Sequence, residues 1–302
     1  MQTISRGCVM ISLVVAFILF LLYVNTFQDT QKYESRNTNY QKYAFDTFDI
    51  AKTNNNAHLH TKEETIETPA VVKGKGNYKL KNPNGVKQDI ISWSQYGQDK
   101  FLDKLFNKKQ NGFFVEIGGY DGESFSNTLF LEKIRGWDGL LVEASPFLYD
   151  IMLKKDRKCY MVNACISTSL PTMTFVLAGG ITSAKETLTD MHRRRIARDR
   201  ITYGKYANWA NTNDTATVNC FPLLQLMKIL GRTNIDYFSL DVEGAEMHIL
   251  NSIEWKEINI DVFTIETDQH RDQILKFMRL KGYKWIHKLR GDDIFVKNKS
   301  VE

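Results

Sequence analysis

Residues 112–122 read GFFVEIGGYDG, a short β-rich run, Phe113 to Ile117, opened by one glycine and closed by a pair of them. An apolar run of that length between turn residues is a buried strand rather than a helix. The stretch that follows, DGESFSNTLFLEKIRG (121–136), is amphipathic and reads as a helix. The same alternation repeats: GLLVEAS (139–145) as a strand, PFLYDIMLKKD (146–156) as a helix with Pro146 suited to its first turn, and CYMVNACIS (159–167) as a third strand. Further on, IDYFSLDVEG (235–244), AEMHILNSIEWKE (245–257), IDVFTIETD (260–268) and RDQILKFMRLKGY (271–283) continue it, and KWIHKLRGDDIFVKN (284–298) closes the chain as a hairpin around Gly291. Upstream, WSQYGQDKFLDKLF (93–106) puts Phe101, Leu102, Leu105 and Phe106 on one helical face, with Ser94 as its cap. Strands alternating with amphipathic helices specify an α/β domain with a parallel sheet and crossover helices, beginning near residue 89.

Two features give this sheet a ligand. Glu116, Gly118, Gly119 and Gly122 lie where the first strand turns into its helix, so the backbone there is open to close approach beside unpaired helix amides. Glu143 ends the second strand about twenty residues later, where an acidic side chain accepts hydrogen bonds from ribose hydroxyls in nucleotide sites. Ligands of open α/β sheets collect outside the carboxyl ends of the strands, and Asp241, Glu243 and Glu246 fall at or just past that edge. Asp241 and Glu243 are candidates to orient a substrate hydroxyl or take its proton, as is His270, just beyond the fifth strand. Glu246 and His248 read as ordinary helix surface. No ligand spacing supports a metal site built from Asp241, Glu243 and His270.

Three stretches, VEIGGYDG (115–122), LVEASP (141–146) and above all DYFSLDVEGAEMHIL (236–250), resemble the FkbM family of S-adenosylmethionine-dependent methyltransferases, over approximately residues 90–298. The resemblance implies a class I methyltransferase-like, Rossmann-like sheet of about seven strands in the order 3-2-1-4-5-7-6. It implies S-adenosylmethionine as cofactor, held by Glu116, Gly118, Gly119 and Gly122 in the first loop, Glu143 on the ribose, and Asp241. The wider family's first loop usually reads Asp-x-Gly-Ala-Asn-x-Gly; here Glu116, Gly119 and Tyr120 replace the Asp, Ala and Asn, and Tyr120 is placed to crowd the methionine end of the cofactor. SQYGQDKFL, GFFVEIGGYDGESFSNTLFLE and WDGLLVEASP are most similar to the family's animal branch containing protein Star. Those are type II membrane proteins of the secretory pathway, implied in moving growth-factor-receptor ligands from endoplasmic reticulum to Golgi and endosomes. The resemblance points to such trafficking of a secretory cargo, with an active O-methyltransferase on a glycan or small hydroxylated substrate as the alternative.

The rest of the 302-residue chain fits that setting. Its 40 Lys plus Arg, 35 Asp plus Glu and 43 % hydrophobic residues are ordinary globular composition. The apolar residues are unevenly spread, since CVMISLVVAFILFLLYV (8–24) carries no charge. That run is longer than a signal-peptide core and lacks a small-residue cleavage site, so it reads as an uncleaved transmembrane signal anchor. A cytosolic tail (1–7) precedes it, and a disordered polar stalk (25–88) joins it to the lumenal domain (89–302). Cys159 and Cys165 sit about 20 Å apart if they share one strand, too far to pair. Either Cys220 pairs with Cys165 or Cys159, or all three are buried free thiols. Asn213 and Asn298 head glycosylation sequons. The basic stretch carrying Arg193, Arg194, Arg195, Arg198 and Arg200 reads either as a solvated helix face or as a segment that covers the pocket or docks an acidic cargo. A domain behind a signal anchor with no reader motif is not a nucleic-acid binder.

Overall fold

The computed structural model describes residues 68–85, 91–203 and 214–298. The apolar run 8–24, the stalk up to residue 67 and the Asn213 sequon lie outside them; among the described residues no helix is long and apolar enough to cross a membrane. Asn298 is exposed, its amide donating to Gly282 O at 2.9 Å.

Twelve strands are described, β1 (Val72–Lys73), β2 (Phe113–Ile117), β3 (Asp138–Glu143), β4 (Tyr160–Asn163), β5 (Cys165–Ile166), β6 (Thr172–Val176), β7 (Ser183–Ala184), β8 (Thr215–Phe221), β9 (Asn234–Leu240), β10 (Asn259–Glu266), β11 (Tyr283–Leu289) and β12 (Asp292–Lys297). The α-helices are α1 (Gln98–Leu105), α2 (Leu129–Arg135), α3 (Pro146–Lys154), α4 (Asp190–Tyr203), α5 (Leu223–Ile229), α6 (Glu246–Ser252) and α7 (Arg271–Leu280). The main sheet runs β1-β4-β3-β2-β9-β10-β12-β11, the expected seven-strand order plus one edge strand. β4, β3, β2, β9 and β10 are parallel; β12 runs against β10, and the hairpin partner β11 closes that edge.

Alternation along the strands sorts the core into two layers. Phe113, Val115, Ile117, Val142, Phe238 and Leu240 face α5, α6 and α7. Phe114, Leu141, Met161 and Tyr237 face α1, α2 and α3. Period-2 side-chain placement explains the division, and burial on both faces explains why β2 reads as an unbroken apolar run apart from Glu116.

Four readings of the sequence need correction. The stalk ends earlier than residue 88, because β1 pairs with β4 and the chain from Gly74 to Lys79 hydrogen-bonds to Lys155, Asp156 and Cys159. CYMVNACIS is two strands, since Cys165 and Ile166 leave the main sheet and join β8 in a second one, β5-β8-β6-β7. The helix after the glycine turn starts only at Leu129. Ser94 does not cap α1; Gly97 holds that position, and the Ser94 hydroxyl donates to Asp99 Oδ1 at 2.8 Å.

The strand switch decides the cysteine question. Cys165 stands opposite Cys220 across β5 and β8, their Cα atoms 4.3 Å apart, and the two form a disulfide, while Cys159 is a buried free thiol. The bridge closes a sequence separation of 55 residues spanning the whole of α4. Replacing both cysteines by alanine should lower stability by about 2–4 kcal/mol in denaturant unfolding. An unchanged midpoint would rule out a structural bridge.

Candidate functional site

β2, β3, β9 and β10 end at one edge, and their loops surround a cavity of about 370 Å³. After β2 the chain turns at Gly118, whose φ is 87°; a Cβ there would stand 1.8 Å from the Asp241 carbonyl oxygen. Only glycine lets the loops after β2 and β9 pass each other at that point. The Gly118 and Gly119 amides both donate to Val142 O, so the turn is tied to β3 rather than left open at a helix end.

Glu143 takes the next amide. Its Oε2 accepts from Tyr120 N at 2.8 Å and its Oε1 from Ser145 N at 2.7 Å. The residue is 6 % exposed, and burial pushes its carboxyl up to about 7 against the opposing effect of those bonds. Each oxygen keeps a lone pair for a further donor.

Glu116 lines the cavity and also ties down the loop, whereas Gly122 serves the loop alone. Glu116 accepts from Ser126 Oγ (3.0 Å), Thr128 Oγ1 (2.5 Å) and Asn127 N (2.8 Å), and burial raises its pKa. Gly122 does not line the cavity; its carbonyl accepts from Arg157 Nη1 at 3.0 Å. Arg157, fully buried, also donates to Ser126 Oγ, Thr128 Oγ1 and Glu132 Oε2, the last at 2.8 Å from Nη2. One guanidinium thereby pins the irregular loop before α2; within it Tyr120 and Phe125, which line the cavity with ring centroids 6.4 Å apart, both have positive φ.

Beyond β9 the loop is acidic. Oxygens of Asp241, Glu243 and Glu266 all lie within 4.8 Å of one another. Desolvation among the surrounding loops, then mutual repulsion, raises Asp241 and Glu266 well above the carboxylate range, although Asp241 keeps solvent-exposed surface. Glu243 is pushed up to about 7 by burial, with the Arg195 guanidinium pulling the other way. These three are the carboxylates among the described residues that lie close enough together to share a cation, and Arg195 offsets part of their charge. Glu246 is no surface residue. It is 1 % exposed, and its Oε1 accepts from Val242 N and Gly244 N, both at 3.1 Å. His248 lines the cavity and meets Ser167 Oγ at 3.2 Å. His270 does not line it; at φ 101° it caps α7 instead.

No local pattern singles out Glu266, Asp268 or Asp292, which also line the cavity, although ETD stands at a strand end where ligands collect. Burial raises Asp292 to about 6, and its Oδ2 accepts from Gln98 Nε2 at 2.6 Å. Arg195 also lines the cavity, donating to Glu243 Oε2 at 2.7 Å. The arginine stretch thus divides: Arg195 reaches in, while Arg193 and Arg198 are exposed beside Asp190 and Asp199.

Among solved structures, the fold is similar to a TehB-like SAM-dependent methyltransferase from Corynebacterium glutamicum ATCC 13032 Kitasato, at 11% identity over 67% of this chain and 88% of that one, TM-score 0.34. It is similar to precorrin-6y C5,15-methyltransferase from Geobacter metallireducens GS-15, at 11% identity over 72% and 92%, TM-score 0.35. M. jannaschii TYW2, a complex with AdoMet, matches at 14% identity over 80% and 90%, TM-score 0.33. No curated protein matches the sequence. The model of the methyltransferase FkbM domain matches residues 116–285, from Glu116 in β2 through the acidic loop to the closing hairpin, and the chain belongs to that family.

Proposed function

We propose that this chain is a membrane-tethered O-methyltransferase whose cavity takes S-adenosylmethionine, the cofactor family resemblance implies, and a hydroxyl acceptor such as a glycan. The observation that carries the reading is the junction of Gly118 with Asp241 O beside Glu143, whose two oxygens are fixed by Tyr120 N and Ser145 N. A backbone with no room for a Cβ, next to an acidic acceptor at the neighbouring strand end, fits a nucleoside with its ribose on Glu143. The cofactor supplies an electrophilic methyl group. Glu143 would accept hydrogen bonds from the ribose hydroxyls, Gly119 and Tyr120 would border the cofactor, and Asp241 and Glu243 would orient the acceptor hydroxyl, alignment supplying most of the rate. Glu243, near neutrality and beside Arg195, is suited to take the hydroxyl proton.

Two experiments follow. Transfer of labelled methyl to a glycan panel should be seen with the full chain and fall at least about 100-fold in Glu243→Gln; equal activity in the variant removes Glu243 from the base role. Affinity for S-adenosylmethionine should rise with pH until Glu143 ionises near 7 and level off above, because hydroxyl donors favour the carboxylate. In Glu143→Gln that slope should flatten, and an unchanged slope assigns it to another group.

A second reading is favoured by the apolar run 8–24 together with the Cys165–Cys220 disulfide, a bond typical of oxidising compartments. It makes the chain a Star-like type II membrane protein of the endoplasmic reticulum, Golgi or endosome that escorts a secretory cargo such as a growth-factor ligand. Deleting the chain should then slow export of a cargo that co-purifies with it, and unchanged export of every such cargo would exclude the role.

A further inference from the structure

The loop between β2 and α2 presents Phe125 at the mouth of the cavity. The residue is 57 % exposed, and its backbone sits at φ 62°, a conformation that a bulky side chain adopts only at a cost. Burial does not repay that cost, since most of the ring faces water. The loop holds it there all the same. Arg157 donates to the Gly122 carbonyl before Phe125 and to the Ser126 and Thr128 hydroxyls after it, and Phe125 itself pairs with Ser94 in an isolated parallel bridge. Tyr120, also at positive φ, stacks with the Phe125 ring at 14° between planes. Two residues past the Ser94 bridge, Tyr96 is 43 % exposed and lines the same cavity. Asp268, exposed, lines it too, and the exposed Arg290 guanidinium stands 6.0 Å from the Tyr96 ring centroid.

We propose that Phe125 and Tyr96 form the acceptor platform, on which a pyranose ring of a glycan lies with its C–H face against the aromatic rings and one hydroxyl turned into the cavity. The role as acceptor site rests on the methyl-transfer reading; the sugar contact itself does not. Size favours the placement. At about 370 Å³ the cavity is near the lower end of the ~300–1,000 Å³ range of single-ligand pockets, so with a cofactor inside it the acceptor reaches in from the mouth. An acceptor held there meets what the rim presents, which is two aromatic rings, a carboxylate and a guanidinium. A pyranose matches that set, because C–H groups cover one face while its hydroxyls project around the edge, free to donate to Asp268 and to accept from Arg290. Gly291 keeps Asp268 open to the mouth, since a Cβ there would stand 3.2 Å from both of its carboxylate oxygens. A rigid ring, fixed before the ligand arrives, loses little entropy on binding. The other occupant that aromatic rims take is an ammonium group, and Arg290 already places a cation beside Tyr96.

The test is saturation-transfer NMR on the full chain in a sugar-free detergent, with the methyl glycosides of glucose, galactose, mannose and N-acetylglucosamine as probes, with and without S-adenosylmethionine. Irradiating the aromatic protons should pass saturation to the ring C–H protons of at least one glycoside, more strongly on one face than on the other. Phe125→Asn removes the ring but keeps the loop, because asparagine tolerates this backbone. It should weaken the affinity for that glycoside about 10-fold, as should Tyr96→Ser, with circular dichroism unchanged. No transfer to any of the four glycosides, parental affinity in both variants, or displacement of the bound glycoside by tetramethylammonium overturns the platform. Sugar binding without uptake of S-adenosylmethionine keeps the platform and removes methyl transfer, whereas uptake of the cofactor with no sugar contact does the reverse. Where transfer to the bound glycoside is measured, Phe125→Asn should raise KM about 10-fold with kcat nearly unchanged, since the ring holds substrate and transition state alike; a fall in kcat alone would count against the role.

Discussion

Arg157→Met is expected to cost about 3–5 kcal/mol of folding stability, the range for removing one partner of a buried ion pair. Glu132 and Glu116 are 2 % and 4 % exposed, and without the guanidinium both carboxylates would be left in the core with no cation. The Gly122 carbonyl and the Ser126 and Thr128 hydroxyls would lose a donor as well. Arg157→Lys should recover little, because an ammonium cannot reach four oxygens in one plane. The comparison is Lys73→Ala, which removes an exposed pair with Asp138 and should cost no more than about 1 kcal/mol. Urea unfolding of the three variants measures this; an Arg157→Met midpoint as close to the parent as that of Lys73→Ala would show that the buried network does not hold the loop.

Gly118→Ala is expected to abolish cofactor binding, with at least a 100-fold loss of affinity, while the rest of the fold survives. The added Cβ would sit 1.8 Å from Asp241 O, and the φ of 87° is strained for any side chain. Relief requires the loops after β2 and β9 to part, which moves Tyr120 off Glu143 and Asp241 away from Glu266 in the same step. Calorimetry reads the affinity, and circular dichroism reads the fold. Binding within a few-fold of the parent would mean that the close approach of the two loops does not shape the site.

The sheet was legible because its strands are short apolar runs at regular spacing, buried on both faces, and the helices between them keep one apolar stripe. Gly118, Glu143, Asp241 and Glu243 were legible because strand order brings β2, β3 and β9 to one edge. What escaped the sequence depends on pairing between distant positions. Glu116 lines the cavity as its place at the end of β2 suggested, but that Arg157, forty-one positions on, organises the loop around it could not be read. No local pattern marks Arg157 or Glu132, since each is an ordinary charged residue of an amphipathic stretch until the fold buries both. CYMVNACIS was read as one strand because it has that composition; the choice of Cys165 over Cys159 as the partner of Cys220 follows from the switch into the second sheet. His192 sits in a run of arginines that reads as solvated surface; its burial follows from Ile181 and Gln269, which the chain supplies from either side of it. His270 failed the other way, being near the site in sequence but standing at the start of α7 without lining the cavity.

Titration of the full chain with S-adenosylmethionine in a calorimeter, with Glu143→Gln alongside, tests whether this cavity is a live cofactor site. Saturable binding to the parent, weakened about 10-fold or more in the variant, is the expected result. A folded parent that takes up no S-adenosylmethionine would contradict the methyltransferase reading and leave the scaffold to the cargo role.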